Sequence, residues 1–220
     1  MKVNRMSVLQ GAKLRLAAGL VVLVPSAVAM VVSVAPQPAL AQFSESYKFL
    51  EAVRKKDGDV VNEMLNKPST QIVNTRDIST GDTALHIVTA RRDLTWVQFI
   101  VGRGANVNAR NTKGETPLEI AAELGFSEGV DYLISSGAKV DETNNTGSTP
   151  LIDAVSRRDL GVVRSLLKAG ANPDRPDNSG RSARDYATLD GKSSPILGEI
   201  ESAAKDHGSS AAHKTYGPTF

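Results

Sequence analysis

The chain contains no cysteine and only three histidines, and these shortages exclude several kinds of site. Without cysteine there are no disulfides, so the stability of the fold has to come from side-chain packing. His86, His207 and His213 do not form a metal-ligand cage. The sequence also lacks a Gly-x-x-x-x-Gly-Lys-Ser/Thr phosphate loop, a His-Glu-x-x-His helix and a Gly-x-Ser-x-Gly elbow. We therefore expect neither an enzyme nor a bound metal or cofactor.

Aromatic residues are also scarce, at 5% of the chain, whereas hydrophobic residues make up 40% and charged residues 23%. This composition is typical of a soluble globular protein. A chain of 220 residues is long enough to bury a core as one domain. Because large rings are few, small and aliphatic side chains are expected to build that core.

Acidic residues are absent from residues 1–41, whose pattern differs from that of the rest of the chain. A basic start precedes an apolar run at 16–34, and Ala39 and Ala41 are the small residues that a signal peptidase reads. This pattern predicts a secretory signal peptide cleaved before Gln42. The alternative is an uncleaved membrane anchor, because about 20 apolar residues can span a bilayer.

Cleavage before Gln42 would change the charge of the protein as well as its length. It would remove four of the 26 basic residues and none of the 24 acidic residues, which leaves 22 against 24, a net charge of −2. No nucleic-acid surface is indicated by that charge. Since the chain is exported on this interpretation and lacks cysteine, we expect a bacterial periplasmic location, with membrane contact only through an uncleaved signal peptide.

Two series of glycines share one period in the remaining chain. Gly81, Gly114, Gly147 and Gly180 are each 33 residues apart, and so are Gly104, Gly137 and Gly170. Glycine supplies the positive φ angle that tight turns and helix C-termini require. A period of this length predicts stacked repeats.

Each repeat reads as turn, helix, turn, helix and loop. Thr116-Pro117 and Thr149-Pro150 place a capping hydroxyl before a proline at the first helical position. A second apolar set follows at the spacing of a buried helix face: Val162, Val163, Leu166 and Leu167. An aspartate recurs before this second helix, at Asp57, Asp93 and Asp159, where it is expected to cap the helix.

The pattern Gly-x-Thr-Pro-Leu, followed by a second helix and Gly-Ala-Asn/Lys-x-Asn/Asp, resembles the ankyrin repeat. The resemblance implies an all-α ankyrin-repeat α-solenoid with β-turn or hairpin loops between units. The expected organisation is a signal peptide at 1–41, a repeat domain at 42–203 and a disordered tail at 204–220. Within the repeat domain we expect an N-terminal cap at about 46–77, repeats at 78–110, 111–143 and 144–176, and a C-terminal cap at 177–203.

The resemblance also implies a concave face, formed by the turn tips and the ends of the first helices, that binds a protein partner. The matching positions carry small hydroxyls and charges of both signs. In chain order they are Ser79, Thr80, Asp82, Ala90, Arg91, Arg110, Thr112, Lys113, Glu115, Glu123, Leu124, Thr143, Asn145, Thr146, Ser148, Ser156, Arg157, Asn178, Ser179 and Arg181.

Two further residues have expected roles of their own. His86 ends the segment 83–86, which is similar to the family's Thr-Pro-Leu-His motif, and the resemblance implies a structural histidine that hydrogen-bonds between repeats. Trp96 is expected to pack across the long loop at 67–77, the alternative being an anchor for a partner.

Taken together, the sequence predicts a non-catalytic protein–protein interaction module in the bacterial cell envelope. Its partner is an unidentified protein, with no nucleic acid and no small-molecule cofactor. The alternatives are a membrane-anchored structural component of an envelope assembly and an inhibitor of an enzyme.

Overall fold

The computed structural model describes the backbone of residues 38–67, 72–189, 191 and 194–212, and the side chains from Glu45 to Ala204 within those ranges. The predicted signal peptide therefore lies almost entirely outside the described residues. Over the described ranges the chain forms ten α-helices, a short 3-10 helix at Ile72–Asn74 and no strand, which confirms the all-α prediction. The α-helices are α1 (Pro38–Lys55), α2 (Gly58–Leu65), α3 (Ala84–Ala90), α4 (Leu94–Gly102), α5 (Pro117–Glu123), α6 (Ser127–Ser135), α7 (Pro150–Ser156), α8 (Leu160–Lys168), α9 (Ala183–Leu189) and α10 (Pro195–Ala212).

The first helices of the inner repeats begin where the Thr-Pro pairs predict. The hydroxyl of Thr116 accepts a hydrogen bond from the backbone N–H of Glu119, and that of Thr149 accepts one from Ile152, each at 3.2 Å. The following proline is the first residue of α5 and of α7, where its missing N–H costs nothing.

The second helices begin at the recurring aspartates, and this prediction is also confirmed. Each carboxylate accepts a hydrogen bond from a backbone N–H three residues later, which satisfies one of the free donors at the helix start. The pairs are Asp57 with Val60 at 3.1 Å, Asp93 with Trp96 at 3.3 Å and Asp159 with Val162 at 3.1 Å.

The helices stack in two layers along the chain. The first helices α1, α3, α5, α7 and α9 pack in succession, and α4, α6, α8 and α10 pack in succession behind them. One aliphatic core runs between the layers, and Leu85, Leu118 and Leu151, one period apart, are fully buried in it. Each repeat therefore buries its apolar faces both between its own two helices and against the neighbouring repeats.

Hydrogen bonds join the turn tips of consecutive repeats. Three backbone N–H groups donate to a carbonyl of the preceding tip: Thr112 to Thr80 at 2.9 Å, Asn145 to Lys113 at 2.9 Å and Asn178 to Thr146 at 3.0 Å. These bonds fix the spacing of the tips, so the side chains that the tips carry are held in register.

This close approach explains Gly81, Gly114 and Gly147 of the first glycine series. A Cβ on Gly147 would lie 2.6 Å from the backbone nitrogen of Asn178, and its φ is +79°. The second series requires glycine only for its positive φ. Gly170 has a φ of +90°, and a Cβ at this position would lie in open space. The first three tip glycines are thus required for both the dihedral angle and the close approach, and the second series for the dihedral angle alone.

The C-terminal end departs from the prediction in one respect. Helix α10 continues to Ala212, nine residues past the expected end at 203, into the tail expected to be disordered from 204 onwards. Ala203, Ala204 and Lys205 are strong helix formers, and no proline follows before Pro218. Residues 213–220 lie outside the described residues.

No helix among the described residues is both long enough and apolar enough to cross a membrane. The apolar run at 16–34, on which the anchor alternative depends, lies outside the described residues.

Candidate functional site

A groove of about 670 Å³ opens along the turn tips and first helices of the second repeat and the units that follow it. It joins residues that lie far apart in sequence, because each repeat contributes a tip and a helix. The residues that line it are Glu115, Glu119, Glu123, Asn144, Asn145, Thr146, Ser148, Ile152, Asp153, Ser156, Asp177, Asn178, Ser179 and Tyr186. Five of these are carboxylates, and none of these described lining residues is Lys, Arg or His.

The groove brings together part of the predicted concave face. Eight predicted residues line it: Glu115, Glu123, Asn145, Thr146, Ser148, Ser156, Asn178 and Ser179. Six other lining residues were missed by the sequence interpretation: Glu119, Asn144, Ile152, Asp153, Asp177 and Tyr186. The missed residues include Glu119, the most buried polar group among the residues that line the groove.

The remaining predicted residues occupy the turn tips, the helix ends or the junctions between units. Ser79, Thr80, Asp82, Thr112 and Lys113 belong to the first two tips, Ala90, Arg91, Leu124 and Arg157 to the ends of the first helices, and Arg110, Thr143 and Arg181 to the junctions and the last tip. Lys113 is openly placed, with 77% of its side chain exposed, and pairs with Glu115 at 3.8 Å.

Two predicted arginines make contacts that hold repeats together. Arg91 donates to the carbonyl of Val53 at 2.8 Å, which ties the first repeat to the N-terminal cap. Arg110 donates to the carbonyl of Thr143 at 2.6 Å, which ties the end of the first repeat to the end of the second. Their substitution would disturb packing, so they are poor probes of partner binding.

Trp96 lies in the first repeat and is partly buried. Its ring meets Phe99 edge to face, with centroids 5.7 Å apart, and the Arg91 guanidinium lies 5.4 Å from its centroid. These contacts account for the indole within its own repeat. The loop against which Trp96 was expected to pack includes residues 68–71, which lie outside the described residues.

Glu119 is the most unusual residue of the groove. Its side chain is 1% exposed, yet neither carboxylate oxygen has a hydrogen-bond partner in the protein. Burial, and then the negative charge of Asp153, raise the pKa of Glu119 to about 8. Because a buried, unpartnered carboxylate is costly, the free protein keeps this group protonated at neutral pH.

His86 occupies the same position one repeat earlier, and both of its ring nitrogens have hydrogen-bond partners. Its Nδ1 accepts from the backbone N–H of Thr83 at 3.1 Å, and its Nε2 donates to the carbonyl of Glu115 at 3.1 Å. Burial lowers the pKa of His86, which favours the neutral ring. The predicted structural bridge between repeats is confirmed.

The register could have pointed to Glu119. One period apart, the same position holds His86, Glu119, Ile152 and Asp185. In this column the glutamate stands one repeat after a histidine that bridges repeats and one repeat before a buried isoleucine. An acidic side chain is unexpected at a position that faces the core. That conflict is the sequence signal that the interpretation did not use.

Asp153 faces the groove from α7. It accepts a hydrogen bond from the Ser148 hydroxyl at 2.7 Å, and that bond lowers its pKa. Burial, with smaller contributions from Glu123 and Glu115, outweighs the bond and raises the pKa of Asp153 to about 6. Asp153 is therefore mostly ionised at neutral pH, beside a neutral Glu119.

Asp177 differs from Glu119 and Asp153, because its carboxylate accepts hydrogen bonds from residues near it in the chain. Its carboxylate accepts from the Ser179 hydroxyl at 2.7 Å and from the Tyr186 hydroxyl at 2.8 Å. These bonds, led by Ser179, lower its pKa to about 2. The groove carboxylates that lack such bonds are thus concentrated around α5 and α7.

Over the described ranges, no set of three or more His, Cys, Asp or Glu residues is placed to hold a metal ion.

Comparison with known families agrees with this architecture. The family model described as "Ankyrin repeats (3 copies)" matches residues 49–144 and 97–177, which together make up more than half of the chain. Diacylglycerol kinase iota of Mus musculus is 32% identical over 74 residues, and the Homo sapiens protein of that name is 31% identical over 74 residues. Each match covers 34% of this chain but only 7% of the kinase, so the activity in that name is a statement about the kinase.

Proposed function

Since the chain belongs to the ankyrin-repeat family, we propose that it is a non-catalytic module that binds a protein partner in the groove between its turn tips and first helices. The observation that carries the proposal is the groove itself, which is about 670 Å³ in volume and spans several repeats. Side chains of its tips are held in place by hydrogen bonds, as where the Thr146 hydroxyl donates to Asn144 of its own turn and the Asn178 amide donates to the carbonyl of Asn145 in the preceding tip. A surface fixed before binding loses little ordering entropy when a partner docks.

The test blocks the groove without changing its charge. Ser156 is an exposed groove residue at the end of α7, so Ser156→Trp places a large side chain in the groove. Asp131→Trp, on the exposed side of α6, is the matched control, because Asp131 is not a groove residue. We expect a protein captured from cell extract by the wild type to be captured by Asp131→Trp and lost with Ser156→Trp. Capture that survives Ser156→Trp would contradict the proposal.

The location of the module is a further part of the proposal. We propose that it acts in the bacterial cell envelope after export and cleavage before Gln42, supported by the basic start, the apolar run at 16–34 and the small residues at 39 and 41. Helix α1 begins at Pro38, so this cleavage would remove four residues of α1 and leave 42–55. The mass of the mature N-terminus tests it, because a start at Gln42 supports export and an intact N-terminus supports a membrane-anchored component instead.

A further inference from the structure

The chemistry of the partner follows from the buried glutamate. Glu119 lies in the wall of the groove with 1% of its surface exposed, and both of its carboxylate oxygens lack a protein donor. Natural proteins rarely bury a polar side chain without a partner, and such groups call for a specific explanation. A group supplied by the ligand would satisfy these oxygens.

The charges around Glu119 favour a cationic ligand. Asp153 and Glu115 both line the groove and both raise the pKa of Glu119. Arg110 acts in the opposite direction, but its guanidinium is held by Glu142 and by the carbonyl of Thr143. The groove therefore has an excess of carboxylate groups: its described lining residues include no cation, and Lys113, outside that lining, pairs with Glu115.

We propose that the groove takes a lysine or arginine side chain of the partner protein, with its charged head against Glu119 and Asp153. This inference rests on the function proposed above and specifies what the partner must present. An extended basic segment of the partner lies along the turn tips, and one of its side chains enters the groove. The cation supplies hydrogen-bond donors to both oxygens of Glu119 and to the oxygen of Asp153 that Ser148 leaves unused.

The shape and lining of the groove suit a long basic side chain. Ile152 and Tyr186 line it beside the carboxylates and offer apolar surface to the methylene stem. Arginine also presents five N–H donors in a planar fork that matches a carboxylate. A short cationic group would not reach a carboxylate that is 1% exposed while its backbone stays at the rim.

The test uses short synthetic peptides and the purified full-length protein at pH 8, where a substantial fraction of Glu119 is ionised. One labelled peptide carries arginine at every third position, and the other carries glutamine at the same positions. By fluorescence anisotropy we expect the arginine peptide to bind about tenfold more tightly or better. Glu119→Gln and Asp153→Asn should each remove about tenfold of that affinity. Glu128→Gln, an exposed carboxylate on α6 outside the groove, should change it by less than about twofold.

Three results would overturn the inference. One is that the arginine peptide binds no better than the glutamine peptide. Another is that Glu128→Gln weakens binding as much as Glu119→Gln, which would indicate an effect of diffuse surface charge. Alternatively, Mg²⁺ or Ca²⁺ would displace the peptide far better than Na⁺ at the same ionic strength, which would indicate a metal site instead. Circular dichroism checks that the variants fold. If Glu119→Gln does not fold, Asp153→Asn is used for the test instead.

The outcome is separable from that of the function proposed above. If Ser156→Trp abolishes capture of a partner but the acidic variants retain it, the groove binds a protein without using the carboxylates. If the arginine peptide binds in the groove but Ser156→Trp leaves capture intact, the cation site exists and the protein partner binds elsewhere. A failure of the carboxylate site is therefore distinguishable from a failure of the proposed function.

Discussion

Replacing Glu119 with glutamine should stabilise the protein much more at pH 8 than at pH 5. The folded state holds this carboxyl buried and protonated, with a pKa raised from 4.5 to about 8. In the unfolded chain the group ionises with its ordinary pKa, so between pH 4.5 and 8 the folded state binds more protons. The free energy of unfolding then falls as the pH rises through this window. Glutamine does not titrate, so Glu119→Gln removes this loss.

The size of the effect follows from the shift in pKa. One pKa unit corresponds to about 1.4 kcal/mol, so the buried carboxyl costs the folded protein about 4 kcal/mol at pH 8 and about 1 kcal/mol at pH 5. Glutamine has its own packing energy at this site, but that energy does not vary with pH. The stabilisation by Glu119→Gln should therefore be about 3 kcal/mol greater at pH 8 than at pH 5.

Urea unfolding followed by circular dichroism measures this difference for the wild type, Glu119→Gln and the exposed control Glu128→Gln. Asp153 is present in all three proteins, so its own titration largely cancels when they are compared. We expect Glu128→Gln to follow the wild type at each pH. If wild type and Glu119→Gln showed parallel stability from pH 5 to pH 8, Glu119 would be ionised and satisfied in the folded protein, and the reasoning would be refuted.

Two further predictions concern the stack itself and use the same unfolding measurement. His86→Phe keeps the ring but removes the bridge to Glu115, and should cost about 1–3 kcal/mol because a carbonyl loses its donor; an unchanged stability would show that the bridge is unimportant. Gly170→Ala should cost about 1–2 kcal/mol for its positive φ alone. Gly147→Ala should cost clearly more, since its Cβ also meets the backbone of Asn178, and equal costs would contradict the close approach.

Local sequence rules account for most of the fold. Gly147 and Gly170 mark the tips and helix ends because few other residues adopt their dihedral angles, and Thr149 and Asp159 mark the helix starts because their side chains cap free N–H groups. These requirements act within a few residues. The repeat boundaries could therefore be predicted without knowing how the repeats stack.

The groove was harder to predict because it depends on contacts between repeats. The sequence interpretation placed the binding face at the turn tips and at the ends of the first helices, and positions inside those helices, such as Leu118 and Leu151, are buried in the core. At Glu119 and Asp153 the same helices turn polar groups into the groove, and only the stacking of α5 on α7 shows that the two charges interact. Helix α10 extends past the expected end at 203 because Ala203, Ala204 and Lys205 favour a helix.

The central claim, that the groove receives a basic segment of a partner protein, is tested most directly by crosslinking from inside it. A photoreactive p-benzoyl-phenylalanine replaces Ser156 in the groove or, as the control, Asp131 on the exposed side of α6. We expect a protein crosslinked from position 156 and not from 131, joined through a segment rich in lysine or arginine, and competed away by the arginine peptide. Crosslinks from position 131 alone, or to an acidic or uncharged segment from position 156, would contradict the claim.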